Sequence, residues 1–235
     1  MGNRLLVATP VRGGDLHSTS ISVGYVEFIR ALQQSMPVDT LSPILTYNCD
    51  NIRARNRIAA TVLREPDFAK VTHVLWCDDD NWPEDSRIVK EMMALGEDFV
   101  AAPYTNKRKP LRWVHQILDH RPAVDENGLM EVRGVGFGFT MTSRACLEKM
   151  SNAARRYTDT PNPHKVANIF GQLYDRFTPG EDPEDECLLS EDFSFCKRWR
   201  EMGGKIHLYA KSGIIIHAGP HPFSARDMPG GVIAG

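Results

Sequence analysis

The segment Val71-Thr-His-Val-Leu-Trp-Cys-Asp78-Asp79-Asp80-Asn81-Trp82-Pro83-Glu84-Asp85 joins an apolar run to a cluster of carboxylates. Its apolar part, residues 71–76, predicts a buried strand, and Pro83 suits the first turn of a helix over residues 83–95. Between them lie three consecutive carboxylates, whose repulsion a divalent cation would relieve, and oxygen ligands favour Mg²⁺ or Mn²⁺ over zinc. Because ligands bind at the carboxyl ends of strands in open α/β sheets, the segment predicts a metal site for a phosphorylated ligand.

A plain polar loop is the alternative for the same residues, with one aspartate capping the following helix through its backbone amides. A calcium-binding loop is excluded, because Trp82 stands at a ligand position and no glycine follows it. The three carboxylates alone leave the metal site and the polar loop both open.

The order of predicted elements indicates an α/β fold with a mostly parallel central sheet flanked by helices. In the first half, strands at 4–9, 41–47, 71–76 and 98–103 alternate with helices at 18–36, 51–64 and 83–95. We predict a single domain over residues 1–222. A flexible tail is expected over residues 223–235.

Composition excludes several classes of protein. The five cysteines form no Cys-x-x-Cys pair, which argues against a disulfide framework and a structural zinc site. A net charge of −2 demands no nucleic-acid partner. No apolar run approaches the ~20 residues of a membrane span, and no signal peptide is recognisable at the N-terminus, so we expect a cytoplasmic protein.

Arg55 lies on the apolar stripe of the predicted helix over residues 51–64, near its start. It could simply extend to solvent or pair with a buried carboxylate. The functional alternative is that it faces a nucleotide or the aspartates at residues 78–80.

A predicted strand over residues 131–142 carries Gly134, Gly136 and Gly138 at period two, which strips side chains from one of its faces. Something must approach that face closely. A neighbouring helix is the structural explanation, and a sugar or phosphate is the functional one.

Two acidic residues follow the predicted helix cap Ser190. Their position suits the helix dipole, but Asp192 shares the inward face with Phe195 and Trp199. A carboxylate aimed into a cleft beside a metal is well placed to act as a general base, with Glu191 as its neighbour. His217 ends the last predicted strand, where a lone histidine is more often structural. The intervening segment 157–186 predicts a surface excursion that could cover an acceptor.

Together these blocks resemble the GT-A fold glycosyltransferases. The resemblance rests on Ala8-Thr9-Pro10, Ala54-Arg55-Asn56, Asp78-Asp79-Asp80, Glu191-Asp192 and His217, in that order. The part from Arg53 to Met93 is similar to fungal mannosyltransferases with an Ala-Arg-Asn helix, and the chain is also similar to small viral members of the fold. A viral source would place the protein in the host cytoplasm.

The resemblance implies a metal-dependent inverting enzyme, with a nucleotide-binding half at about 1–105 and an acceptor and catalytic half at 106–222. Asp78, Asp80 and His217 would hold Mn²⁺ or Mg²⁺, and Asp192 would be the base, assisted by Glu191. The nucleotide-sugar-binding residues that it implies are Thr9, Pro10, Arg12, Asp50, Arg55, Asp78, Asp79 and Gly136. The donor would be a UDP- or GDP-sugar, and the acceptor a glycan, a protein or modified DNA.

Three alternatives stay open. The acceptor could be a hydroxymethylated base in DNA, with the basic residues 107–112 contacting phosphates. A sugar-1-phosphate nucleotidylyltransferase shares the general architecture, but usually has a longer glycine-rich basic loop after the first strand than residues 9–14 offer. A non-catalytic sugar-nucleotide-binding module would have the metal site without the base.

Overall fold

The computed structural model describes residues 4–10, 22–36, 41–46, 50–118, 123–159, 165–175, 187–219 and 222–228. Within these ranges the α-helices are α1 (Val23–Ser35), α2 (Asn51–Arg64), α3 (Arg87–Ala94), α4 (Arg144–Ala153) and α5 (Glu191–Glu201). The strands are β1 (Leu5–Pro10), β2 (Leu41–Thr46), β3 (His73–Cys77), β4 (Asn81–Pro83), β5 (Phe99–Ala101), β6 (His115–Ile117), β7 (Leu129–Val135), β8 (Phe139–Ser143), β9 (Arg156–Thr158), β10 (Lys165–Ala167), β11 (Tyr174–Asp175), β12 (Cys187–Leu188), β13 (His207–Tyr209), β14 (Ile215–Ala218) and β15 (Pro222–Phe223).

Eight of the described strands form the main sheet in the order β2-β1-β3-β8-β5-β13-β7-β6. β1 is parallel to β2 and β3, and β5 is parallel to β13, whereas β8 and β7 run antiparallel to their neighbours. All strands of this sheet except β8 and β7 therefore run in the same direction. This confirms the prediction of a mostly parallel α/β domain.

Helices cover both faces of this sheet because side chains alternate along each strand. In β1, Leu6 and Ala8 join a core with α2, α4 and α5. Leu5 and Val7 join a second core with α1 and α3. The first core contains a cluster of aromatic rings, in which Trp76 and Phe170 centroids are 5.2 Å apart. This packing holds the end of β3 rigidly between two layers of helix.

Several predicted boundaries were wrong. The strand expected over residues 131–142 is two strands, β7 and β8, joined by a turn at residues 136–138. The helix expected from Pro83 begins at Arg87, because residues 81–83 form β4 and pair with β14. Gly96, just after α3, has φ +72°, the left-handed conformation expected at a helix end.

The described parts of the predicted excursion and tail contain paired strands. β9 pairs with β10 and β11 with β12, while β15 pairs with β14. Residues 160–164, 176–186 and 229–235 lie outside the described ranges. No helix in the described ranges is long and apolar enough to cross a bilayer.

Asp159 connects the segment after β9 to α2. Its buried carboxylate accepts a hydrogen bond of 2.7 Å from the Arg53 guanidinium and another from Arg57. Burial opposes ionisation, but the two arginines outweigh it and hold the pKa of Asp159 below its ordinary value. The carboxylate therefore stabilises the fold while it is charged.

We expect Asp159→Asn to lower the free energy of unfolding at pH 7 by about 2 kcal/mol, because two partly exposed arginines lose their charged hydrogen-bond acceptor. Since the pKa of Asp159 is lowered in the fold, its contribution is complete above the unfolded-state value of about 4 and is lost as the pH falls below it. Urea unfolding across pH should show the difference from wild type narrowing on acidification. Asp67→Asn, an exposed carboxylate, is the control. An equal loss in both variants would contradict this assignment.

Candidate functional site

The three aspartates lie in a tight turn at the carboxyl end of β3. The Asp78 N–H donates to the Gly138 carbonyl at 3.1 Å, and the Asn81 N–H donates to the Asp78 carbonyl at 3.0 Å. Ser22, just before α1, donates its hydroxyl to the Asp79 carbonyl at 2.7 Å. The turn is thus held from both sides, and its carboxylates project at the sheet edge where α/β proteins bind ligands.

His217 reaches this turn through strand pairing. β4 and β14 are antiparallel, with His217 opposite Asn81, and the Ala218 N–H donates to the Asp80 carbonyl at 2.7 Å. The His217 Nε2 consequently lies 3.6 Å from Asp80 Oδ1. A residue more than a hundred positions away in the sequence is placed beside Asp80 by this short two-strand contact.

The orientation of the His217 ring is set by its other nitrogen. Nδ1 lies 2.7 Å from the Thr105 carbonyl, which can only accept, so Nδ1 carries the proton. Burial lowers the pKa of His217 from its ordinary value, although the Thr105 carbonyl and Asp80 oppose this. The ring is therefore neutral at pH 7, with the lone pair of Nε2 facing Asp80. Metal-binding histidines are commonly oriented by a hydrogen bond of this kind.

Arg55 is the centre of the acidic cluster. Its side chain is 1% exposed, and one guanidinium contacts three carboxylates. Nη2 lies 3.2 Å from Asp78 Oδ1, and Nη1 lies 3.1 Å from Glu191 Oε1 and also pairs with Asp192. Burial would lower the pKa of Arg55, but the carboxylates raise it above its ordinary value, so the guanidinium stays charged. Arg55 thus joins the turn after β3 to the start of α5.

Asp192 lies in the first turn of α5, two residues after the cap Ser190, as the sequence predicts. Its Oδ2 accepts a hydrogen bond of 3.1 Å from the Phe137 N–H, in the turn between β7 and β8. Burial raises the pKa of Asp192 to about 7; Arg55 opposes this rise, while Glu191 and Asp78 add to it. A carboxyl group that titrates near neutrality suits general-base chemistry.

Lys107 pairs with the Asp80 carboxylate, a contact that the sequence interpretation missed. We predicted residues 107–112 as a basic loop for phosphates, and Arg108, Lys109 and Arg112 are indeed exposed. No local pattern indicates a partner for Lys107, because the contact depends on where the segment after β5 lies relative to the turn after β3.

The predicted metal ligands can be tested as a donor set. Asp80 and neutral His217 are adjacent and are suitable donors for Mn²⁺ or Mg²⁺. The third, Asp78, is directed toward Arg55. Among the described residues no group of three or more His, Cys, Asp or Glu side chains could hold a metal ion as arranged. The donor types fit a divalent cation, and two of the three predicted ligands are together.

The predicted nucleoside-pocket residues remain a prediction. Thr9 is buried, with its hydroxyl 2.5 Å from Tyr25 Oη, and Pro10 is buried at the end of β1. Asp50 caps α2, where it accepts a hydrogen bond from the Arg53 N–H at 2.9 Å. Arg12 lies outside the described residues.

Asp79, the middle carboxylate of the turn, has a raised pKa. Burial is the largest cause, and the charges of Asp80 and Asp78 add to it, so that the pKa of Asp79 is about 6.

The predicted sugar-binding residue Gly136 lies against side chains of the chain itself. A Cβ there would be 2.2 Å from Tyr104 Oη and 2.6 Å from Val114. Phe193 similarly approaches Gly134, and Tyr104 and Asn81 approach Gly138. These contacts supply the close approach that the glycine spacing predicts. Whether Gly136 also contacts a ligand remains a prediction.

A cavity of about 230 Å³ lies along α5. Its lining residues are Gln116, Arg133, Asp175, Leu189, Phe193, Lys197, Arg200 and Glu201. It includes none of the carboxylates described above. The convergent titratable groups, rather than this cavity, therefore define the candidate site.

Comparison with known proteins supports the fold. No protein-family model matches the chain, and no curated protein matches it significantly. Its fold places it among mixed α/β domains, and one solved structure that it resembles is A197 from STIV. The TM-score is 0.54 and the sequence identity is 17%, and the match covers 92% of this chain and 85% of that chain. At that identity the likeness shows the fold alone.

Two other solved structures are more distant. One is 4-diphosphocytidyl-2C-methyl-D-erythritolsynthase from Anaerococcus prevotii, with TM-score 0.35 and 12% identity over 85% of this chain and 96% of that chain. The other is HddC from Yersinia pseudotuberculosis complexed with GMP-PN, with TM-score 0.32 and 9% identity over 84% of this chain and 99% of that chain. Neither score supports an argument about function.

We expect Arg55→Met to destabilise the fold by about 3–5 kcal/mol, because removing one partner of a buried ionic network leaves the others uncompensated. Burial already raises the pKa of Asp192, and without Arg55 nothing would oppose that rise as strongly, so the loss should grow as the pH rises from about 5 to 8. Denaturant unfolding at several pH values measures this.

Arg64→Met is the matched control for that experiment. It makes the same substitution on the same helix, where Arg64 forms an ion pair with the half-exposed Glu65 at the surface. Its effect should be small and independent of pH. A small, pH-independent effect of Arg55→Met would show that the guanidinium is not the counter-charge of the cluster.

Proposed function

We propose that the chain is a metal-dependent inverting glycosyltransferase that moves a sugar from a nucleoside-diphosphate sugar to an acceptor hydroxyl. The observation that supports this is the convergence of Asp78, Asp80, Asp192 and His217 around the end of β3, with Arg55 joining its two sides. Residues from near the end of the first third of the chain and from its last fifth meet at one point. A polar loop with only a capping role would not require that meeting.

On the donor side, Asp80 and His217 would hold Mn²⁺ or Mg²⁺, joined by Asp78 when its carboxylate leaves Arg55. The bound cation would neutralise charge on the leaving diphosphate. Asp79 and the predicted pocket residues Thr9, Pro10, Arg12 and Asp50 would contact the nucleotide. The donor would be a UDP- or GDP-sugar.

On the acceptor side, Asp192 would accept the proton of the attacking hydroxyl. Its two oxygens are oriented separately, since Oδ1 pairs with Arg55 and Oδ2 accepts from the Phe137 N–H. Such fixed geometry favours proton transfer, and a pKa near 7 leaves much of the group in its basic form at neutral pH. Attack from the face opposite the leaving group would invert the anomeric configuration.

The donor and metal assignment can be tested by thermal unfolding with a panel of nucleotide sugars. We expect one UDP- or GDP-sugar to raise Tm in a manner that requires Mn²⁺, by an amount equivalent to about 2.7 kcal/mol at a hundredfold excess over Kd. Asp80→Asn should lose the metal-dependent part, while Asp67→Asn should keep it. An unchanged metal-dependent shift in Asp80→Asn would place the cation elsewhere.

The base can be tested by transfer kinetics once a donor is known. Asp192→Asn should lower turnover by about 10²–10⁴-fold, because the acceptor proton loses its acceptor. Donor affinity should change little. Glu201→Gln is the matched control, since it removes a 57%-exposed carboxylate from the same helix. Wild-type turnover in Asp192→Asn, or a product with the donor's stereochemistry, would exclude this mechanism.

The alternative functions predict different products. A nucleotidylyltransferase would release pyrophosphate from a nucleoside triphosphate, and a binding module would bind the donor without hydrolysing it. For a modified-DNA acceptor, binding to duplex DNA should weaken steeply with salt, because exposed Arg108, Lys109 and Arg112 would contact phosphates. A glycan or protein acceptor would lack that dependence.

A further inference from the structure

We propose that Lys107 is the resident counter-ion of Asp80, that a divalent cation displaces it, and that the displaced ammonium group then binds the donor's diphosphate. This inference rests on the proposed function. It assigns Lys107 two alternating partners, one before and one after the cation binds.

The charges at the end of β3 provide the first argument. The chain itself supplies a cation to each outer aspartate: Arg55 contacts Asp78, and Lys107 contacts Asp80. Both aspartates are among the predicted metal ligands. The Lys107 ammonium lies on Asp80 Oδ2, and a cation beside His217 Nε2 would lie on Asp80 Oδ1, so the two like charges would repel each other across one carboxylate and cation binding would favour departure of the ammonium.

The two internal cations differ in their freedom to leave. Arg55 is 1% exposed and its guanidinium is tied to three carboxylates on two elements. The Lys107 side chain is 31% exposed and the Asp80 side chain 30%. The Lys107 ammonium also lies at the end of a flexible four-carbon side chain. Because solvent reaches both members of this single ion pair, Lys107 is more easily exchanged than the buried Arg55. Of the two internal cations, Lys107 is therefore the one that leaves its aspartate when a divalent cation binds.

The backbone beside Lys107 stays in place during this exchange. The Thr105 carbonyl accepts from His217 Nδ1 at 2.7 Å, and the Val114 N–H donates to the Tyr104 carbonyl at 2.9 Å. The Asn106 N–H donates to the Arg112 carbonyl at 2.9 Å. The loop is thus anchored to the residue that would share the metal. Only the Lys107 side chain needs to move, and it remains within the charged site, where lysine is a suitable phosphate ligand.

The experiment measures Mn²⁺ affinity directly, from the electron paramagnetic resonance signal of free Mn²⁺. Lys107→Gln should bind Mn²⁺ about fivefold more tightly than Lys109→Gln, because the competing charge beside Asp80 is gone. Lys109→Gln is the matched control: it removes the same charge from an exposed position of the same loop. Lys107→Arg keeps the charge and should retain the affinity of the wild type.

A second titration measures UDP and GDP in the presence of saturating Mn²⁺. Lys107→Gln should bind the nucleoside diphosphate about fivefold more weakly than Lys109→Gln, because the displaced ammonium no longer reaches the phosphates. Opposite changes in the two affinities are not expected from unfolding, which would weaken both. Thermal unfolding of each variant checks that it is folded.

The outcomes separate this inference from the proposed function. Equal or weaker Mn²⁺ binding in Lys107→Gln than in Lys109→Gln overturns the exchange, even if Asp80→Asn abolishes binding and so supports the metal site. Tighter Mn²⁺ binding without loss of diphosphate affinity overturns the transfer of Lys107 to the donor. If the wild type and both glutamine variants bind no Mn²⁺, the exchange and the metal-dependent function fail together.

Discussion

The buried guanidinium of Arg55 is the interaction on which the candidate site depends. A charge placed away from water is costly unless it is paired, and here one arginine is paired with carboxylates from the turn after β3 and from the start of α5. The same contact makes the ionised form of Asp192 tolerable in a buried setting, because Arg55 opposes the rise that burial imposes on its pKa. The fold and the chemistry of the site are thus joined through one side chain.

A second constraint is the short pairing of β4 with β14. It places His217 opposite Asn81 and brings its Nε2 to Asp80. Thr105 fixes the other ring nitrogen, and the segment that follows Thr105 carries Lys107 to the same carboxylate. Asp80 is therefore contacted by the neutral imidazole of His217 and by the ammonium group of Lys107, which come from two different parts of the chain. The side chains that reach Asp80 from outside the turn therefore come from segments distant in the sequence.

Much of the fold and part of the site could be predicted from local pattern. The alternation of strands and helices predicted the mostly parallel sheet, and helical spacing placed Arg55 and Asp192 on inward faces. The strand predicted over residues 131–142 was wrong at its centre, because glycines at period two are as compatible with a turn as with an exposed strand face. The helix predicted from Pro83 was wrong at its start, because Pro83 also suits the end of an edge strand such as β4.

By itself, the sequence determined which side chains carry charge at element ends: three aspartates after β3, an acidic pair at the start of α5, and a histidine in β14. Those assignments follow from local periodicity and capping, which act over a few residues. Only the tertiary structure decided their partners: Arg55 for Asp78 and Asp192, Lys107 and His217 for Asp80, and Tyr104 for the glycine turn. The reason is physical. Strand order and register arise from packing the whole sheet between its helices, and no short stretch of residues encodes which distant segment will become its neighbour.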